Sequence, residues 1–478
     1  MIGPGRELLL RREIAERCRS CGTCRSVCPL FAELKLESAT SRGKVALIRA
    51  VLDAELDLTD IFDERLQLCL NCKACVDACP NQVRTDDLVM AARSGLVEAG
   101  RLPFVKRFIF RQLLRRGRLL PPVGKMASFF QRVVLRGLPK ESAFRQLLPV
   151  VGMDRDRTFP EFAPRTFMEQ VPEVTAARGP VGVEEGSGVS GGDTGGAGVP
   201  AQTDLPEAEA EDRRRIAREA KRVAYFVGCA TNLIYPEVGK AVVEALSRSG
   251  VDVAVPRGQV CCGTPVFTAG DYVTARELAR KNIEVLRATG ADAVIAACAS
   301  GGLTLKREYE LTLGIEGGVG MPVFDFAEFL AYRAEGISGD GRAAVSGEAN
   351  ALAAAPRVRV TYHDPCHLSR GQGITVEPRA LVKSLPWVEF VEMRDADRCC
   401  GGAGSFSMTH YEIAAAVGKH KAEAIREADV DVVVTECPSC VMQLRDMVSR
   451  YGVDVTVMSV AELLEQPMGE ETGRPALP

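Results

Sequence analysis

Two runs of four cysteines, alike in spacing and each closed by a proline, constrain this chain more than anything else in it. The first is Cys18-x2-Cys21-x2-Cys24-x3-Cys28-Pro29, and the second is Cys69-x2-Cys72-x2-Cys75-x3-Cys79-Pro80. Three thiolates two residues apart can wrap three corners of one iron–sulfur cube. The fourth, followed by proline, leads away and ligates the other cube. The expected ligand sets are therefore crossed: Cys18, Cys21, Cys24 and Cys79 for one [4Fe–4S] cluster, and Cys69, Cys72, Cys75 and Cys28 for the other. Zinc sites favour pairs of ligands separated by a longer loop, so two zinc knots fit the spacing poorly. Between the runs, Val45, Ile48, Val51 and Leu52 recur at helical spacing. An electron-transfer domain over residues 1–100 is therefore expected to be built from helices.

The chain has 17 cysteines, and the other nine lie far downstream. Leu8-Leu9-Leu10 is followed at once by Arg11 and Arg12, which is no secretory apolar region, and no run of apolar residues is long enough to span a membrane. Thiols in such a chain read as metal ligands or redox groups in a reducing compartment, and the expected location is cytoplasmic. A net charge of −3 argues against nucleic acid as a partner.

The downstream cysteines belong to an internal repeat. Cys229 maps onto Cys366, Cys261-Cys262 onto Cys399-Cys400, and Cys298 onto Cys437, with nearly constant offset. Strand-like and helix-like segments repeat between them. Val223–Val227, Val251–Val255, Ala293–Ala297 and a closing strand–helix pair at Pro322–Leu330 match Val358–Tyr362, Val388–Met393, Asp431–Thr435 and Asp454–Leu464. Alternation of this kind predicts two parallel sheets with helical cover, and the cysteines then fall at the carboxyl ends of strands. Adjacent cysteines with distant single ones make a multi-thiolate metal pocket, and the glycine after each pair, Gly263 or Gly401, would let backbone approach the bound group. The expected order is a cluster domain (1–100), a basic helical connector (101–175), a disordered linker (176–215), a first cysteine-rich domain (216–335), a Gly/Ala linker (336–356) and a second cysteine-rich domain (357–470).

The pattern Cys-xn-Cys-Cys-Gly-xm-Cys-x2-Cys, present twice, resembles the cysteine-rich domain of heterodisulfide reductase catalytic subunits. The N-terminal part is similar to the α-helical ferredoxin domains of succinate dehydrogenase-type oxidoreductases. Together they resemble the iron–sulfur subunit of glycolate oxidase, and the corresponding subunits of lactate oxidation and anaerobic glycerol-3-phosphate dehydrogenase complexes. The resemblance implies an α/β chain that relays electrons from an FAD-bearing partner, which oxidises glycolate or lactate, to a quinone or another acceptor. It also implies a noncubane [4Fe–4S] cluster on Cys366, Cys399, Cys400, Cys437 and Cys440. In the first unit Gly301 stands at the fifth position. Cys229, Cys261, Cys262 and Cys298 are left open between a cube, a zinc ion and no metal. The alternative functions are a heterodisulfide reductase-like catalytic subunit and a zinc-binding assembly subunit.

Weaker signals remain. From Arg101 to Lys140 there are eleven Lys/Arg and no acids, interleaved with Phe104, Phe108, Phe129, Phe130 and aliphatic residues. This reads as a scaffold helix or as a surface docking on a partner or on the inner face of a membrane. All four histidines (His363, His367, His410, His420) lie in the second unit. His367, next to Cys366, is the one placed to ligate or carry protons, although polar packing suits each of them. Gly401-Gly402-Ala403-Gly404 lacks the strand entry and acidic partner of a dinucleotide site.

Overall fold

The computed structural model describes residues 5–131, 157, 160–178, 207–337 and 357–466. Most of the expected linkers 176–215 and 336–356, and the end of the basic stretch, lie outside those residues. Where the first linker is described it departs from expectation: Glu207–Glu219 is a helix, with Ala217 fully buried. Its Arg213 reaches Glu328 at 2.7 Å, so a sequence with little apolar surface is ordered by a buried ion pair.

The N-terminal part is helical. Ser41–Leu52 is capped by Thr40, whose hydroxyl accepts from Gly43 N, and Asp60–Gln67 is capped by Thr59 in the same way. Both pack on Thr85–Glu98 through Val45, Ile48, Val51, Phe62, Leu66, Leu88 and Ala92, all nearly inaccessible to solvent.

Nine strands are described. They are β1 (Val174–Thr175), β2 (Arg222–Phe226), β3 (Asp252–Ala254), β4 (Ala293–Ala296), β5 (Val323–Asp325), β6 (Val358–Tyr362), β7 (Val388–Phe390), β8 (Val432–Thr435) and β9 (Thr456–Ser459). Sheet order is β1-β3-β2-β4-β5 in the first unit and β7-β6-β8-β9 in the second. All pairings are parallel except β1 with β3, a two-residue edge strand supplied by the connector. The repeat read from cysteine spacing is thus a repeat of topology. Side chains alternate across each sheet. Val223, Tyr225, Val358, Val360 and Tyr362 enter one core shared by both units. Ala224 and Phe226 face a core that contains Cys261 and Cys262, while Val433 faces one that contains Cys400, Cys437 and Cys440. Every cysteine-bearing loop consequently opens on the face away from the shared core.

The N-terminal part is seated on both units. Leu30, Leu68, Leu70 and Cys72 pack with Cys399, Phe406, Ala414 and Val417. Buried Lys73 binds Asp86 of its own part and, at 3.2 Å, Glu308 of the first unit. Burial opposes the Asp86 carboxylate, but Lys73 and Arg84 hold it well below the usual carboxylate range. Removing one partner of such a buried pair costs about 3–5 kcal/mol.

The connector agrees with the scaffold reading where its charges are paired. Several of them have acidic partners drawn from distant sequence. Arg111 meets Asp271 at 2.9 Å, Arg115 meets Glu277 at 2.8 Å and Lys125 meets Glu169 at 2.6 Å. Asp271 also caps the helix Tyr272–Arg287. Phe110 and Leu114 enter the core of the first unit, whereas Phe104 (70%), Phe108 (55%), Met126 (67%) and Phe129 (66%) remain exposed.

Candidate metal centres

The two N-terminal runs share a backbone device. Ser20 and Gly22 in the first loop have φ of 55° and 90°, and Asn71 and Lys73 in the second have φ of 53° and 58°. Left-handed backbone occurs at the same two positions of both loops, and at Ser20, Asn71 and Lys73, which carry a Cβ, it costs roughly 1 kcal/mol each. These turns fold each loop around a common centre. One cavity is lined by Cys18, Cys21, Cys24 and Cys79, with Arg42 at its wall. A second is lined by Cys69, Cys72, Cys75 and Cys28, with Lys44 at its wall. The structure thus brings together the crossed sets, in which each run contributes its fourth cysteine to the other.

The donor sets fit a cationic cluster. Burial, then Cys72 and Cys69, push the Cys75 thiol well up. Thiols crowded as Cys28 and Cys75 are would be relieved by a bound cation. Lys44, only 2% exposed, faces Cys69, Cys28 and Cys75 and donates to the carbonyls of Ala39 and Ser38. Sequence reading missed it, since its role depends on burial.

The cysteine-rich units place their thiols at strand ends and helix starts. Cys366 opens the helix Cys366–Gln372, Cys437 caps Pro438–Arg450, and Cys298 caps Ala299–Leu303, its Sγ accepting from Gly301 N. Helix N-termini favour thiolates. The glycine after each cysteine pair serves the backbone: Gly401 has φ of 86°, and a Cβ there would lie 2.4 Å from Ala414 O. The approach it permits is to the helix Tyr411–Ala428, whereas the sequence suggests an approach to the bound group.

In the second unit the five cysteines form one connected set. Cys366 packs with Cys399, and Cys400 with Cys437 and Cys440, and the thiols perturb one another's ionisation. Cys399 and Cys440 hold Cys400 well below the usual thiol range, and Cys298 and Cys440 do the same for Cys437. Buried Lys421, whose Nζ bonds the Asp395 and Ala396 carbonyls, and Arg370 supply positive charge beside these sulfurs.

The first unit is not a closed set. Cys229, Cys261 and Cys262 pack together, with Thr264 Oγ1 3.1 Å from Cys262, and Cys262 is lowered to about 7 by Cys261 and Thr264. Cys298 instead lies beside Cys437 of the second unit, which pushes its thiol well up. At the other end, Cys72 packs beside Cys399, which pushes its thiol well up. Sulfur therefore runs from the second N-terminal cavity through the second unit to Cys298 of the first.

His367 takes the polar packing role that the sequence allows each histidine. Both ring nitrogens of His367 are taken: Nε2 donates to the Asn71 carbonyl and Nδ1 accepts from the Ser300 hydroxyl, each at 2.9 Å. It latches three parts of the chain together. His363 lies among the sulfurs, with a ring nitrogen and the Sγ atoms of Cys400 and Cys440 all within 4.8 Å of one another.

Known proteins place this arrangement. The 4Fe-4S dicluster domain matches residues 14–83, and the Cysteine-rich domain matches twice, at 223–306 and 360–445. The probable glycolate oxidase iron-sulfur subunit of Bacillus subtilis is 26% identical over 465 residues, covering 95% of this chain and 94% of that protein. The chain combines a 4Fe-4S dicluster domain with two cysteine-rich domains and is similar over nearly its whole length to a glycolate oxidase iron–sulfur subunit. A chain of the dihydromethanophenazine:CoB–CoM heterodisulfide reductase of Methanosarcina mazei is 24% identical, covering 96% of this chain and 95% of its own. A chain of the fumarate reductase (CoM/CoB) of Methanothermobacter marburgensis is 39% identical over 251 residues, and the match spans only 47% of that protein's length.

The crossed sets generate a specific expectation. Cys79→Ser should remove iron from the cavity of Cys18, Cys21 and Cys24, and Cys28→Ser from that of Cys69, Cys72 and Cys75, each variant losing about four irons. Iron analysis with EPR of the purified variants checks this. Loss confined to the cluster of the mutated run would contradict the crossing.

Proposed function

We propose that this chain is the iron–sulfur electron-transfer subunit of a flavin-dependent 2-hydroxy-acid dehydrogenase, acting on glycolate or lactate. It would receive electrons from an FAD-bearing partner chain and pass them to a quinone or another acceptor. The observation that carries the reading is the run of sulfur from the N-terminal cavities into the second unit, through the approach of Cys72 to Cys399. The 26% identical Bacillus subtilis relative, aligned over nearly the whole chain, supports the hydroxy-acid assignment.

In this reading Cys18, Cys21, Cys24 and Cys79 hold one [4Fe–4S] cluster, and Cys69, Cys72, Cys75 and Cys28 the other. Cys366, Cys399, Cys400, Cys437 and Cys440 hold a noncubane one. Bound clusters supply one-electron chemistry, and the protein supplies ligands, burial and charge. Lys44, Arg370 and Lys421 place positive charge beside the sulfurs, which favours the reduced, more negative state. His367 fixes the Asn71 loop against Ser300 and so holds the distance across which electrons pass.

A second reading, a heterodisulfide reductase-like catalytic subunit, is favoured by the complete set closed by Cys437-Pro438-Ser439-Cys440 and by the Methanosarcina relative. The co-purified complex separates the two. Glycolate or lactate should reduce the clusters through the flavin partner, and Cys440→Ala should slow transfer to the final acceptor by on the order of tenfold or more, with ferredoxin iron intact. Equal rates and equal iron in wild type and variant would count against a role for the second unit. Reduction of a disulfide by the reduced chain alone would favour the second reading.

Among the described residues no helix is long and apolar enough to cross a membrane. We infer that the connector docks peripherally, through Phe104, Phe108, Met126 and Phe129, while Arg111 and Arg115 serve the scaffold. In flotation with anionic liposomes, Phe104→Ser with Phe108→Ser should shift the protein to the unbound fraction. Arg111→Gln should leave flotation unchanged and lower stability by about 1–2 kcal/mol. The reverse pair of results would return the docking role to the charges.

A further inference from the structure

The two halves of the repeat provide an internal comparison at every position of the site. His363 lies three residues before Cys366, and Phe226 three before Cys229. Strand pairing gives the same equivalence independently. Phe226 pairs with Ala296, two residues before Cys298. Tyr362 pairs with Val434, so one step further along β6 puts His363 level with Thr435, two residues before Cys437. His363 N donates to Val434 O, which fixes the backbone there.

The residue facing this position changes with it. In the first unit it is Gly301: a Cβ built there lies 3.9 Å from Phe226 Cε1 and 3.6 Å from Cys298 Sγ. In the second unit the facing residue is Cys440, and His363 contributes a ring nitrogen within 4.8 Å of Cys440 and Cys400 sulfur. One half therefore pairs Phe with Gly, and the other pairs His with Cys. A phenyl ring is enough to fill this place in the first unit, so packing does not explain an imidazole in the second.

The imidazole is, moreover, left without polar partners. His363 is 1% exposed, and neither Nδ1 nor Nε2 has a hydrogen-bond partner among the described residues. The charged groups around it are engaged elsewhere. Asp364 is held by both guanidinium nitrogens of Arg379 at 2.7 Å, and Lys421 Nζ by the carbonyls of Asp395 and Ala396. A buried polar ring with no partner is unfavourable unless something occupies it. Imidazole nitrogen and thiolate sulfur are donors to the same transition metals, iron and zinc among them.

We propose that His363 is a nitrogen ligand of the iron centre in the second cysteine-rich unit, beside Cys366, Cys399, Cys400, Cys437 and Cys440. The proposal rests on the reading that these cysteines hold such a centre. Phe226 and Gly301 remove two donors from the corresponding place in the first unit, so the two halves would differ in metal chemistry while keeping one fold.

The test uses the full chain purified without oxygen, with His363→Phe, which copies the first unit, and His363→Cys, which restores a donor. Pulsed EPR of the wild-type centre should show strong coupling to a histidine nitrogen, and labelling histidine with the heavier nitrogen isotope should change it. Both variants should lose the coupling, and His363→Cys should keep more iron than His363→Phe. Should His363→Phe fail to fold, the labelled wild type still decides. Coupling that survives in a folded His363→Phe, or a wild-type centre with iron but no histidine nitrogen, would overturn the ligand assignment alone. Wild-type protein with no iron beyond the two ferredoxin clusters would overturn the underlying reading and the ligand with it.

Discussion

The approach of Cys72 to Cys399 is the contact on which the functional architecture depends. One sulfur belongs to a small helical part and the other to the second unit of a duplicated α/β module. For the two to meet, a loop with two left-handed residues must be pressed against a strand-end loop and held there. Leu68, Leu70, Phe406 and Val417 supply apolar burial, Lys73 joins Asp86 to Glu308, and His367 reaches Asn71. A buried charge pair is a costly way to gain stability, and what this one supplies is registry. If the seat shifted by a few ångströms, the sulfurs would part and the run of sulfur from the N-terminal cavity would be broken.

Duplication makes this economical. Each unit aims its cysteine loops away from the shared core, so sheet-to-sheet packing and metal chemistry occupy opposite faces. The second unit can therefore carry Cys440, His363 and Lys421 without disturbing Tyr225, Tyr362 and Phe324 in the common core. The first unit has the same fold with a partial thiol set, and its Cys298 lies toward Cys437.

Much of this was legible in the sequence because cysteine spacing is a local code. The two runs led to the crossed cysteine sets, the strand–helix alternation around the double Cys-Cys-Gly pattern led to the parallel sheets, and the helix expected from Val45, Ile48 and Val51 is present. What could not be read depended on partners distant in sequence. Arg111 looks uncompensated until the fold brings up Asp271, 160 residues away. The acidic segment before Lys221 looks disordered until Arg213 finds Glu328. His367 drew attention by adjacency to Cys366, yet a helix turn carries it to Ser300 and Asn71. His363 needed strand register to be seen beside Cys440. β1, two residues long, carries no periodicity at all.

The magnetic state of the fully reduced protein tests the central claim most directly. If the second N-terminal cluster and the centre of the second unit adjoin through Cys72 and Cys399, their EPR signals should split and broaden one another. That interaction should disappear when the Cys28→Ser variant removes the cluster. Spectra that are a simple sum of isolated centres, unchanged in shape by that variant, would contradict the continuous path.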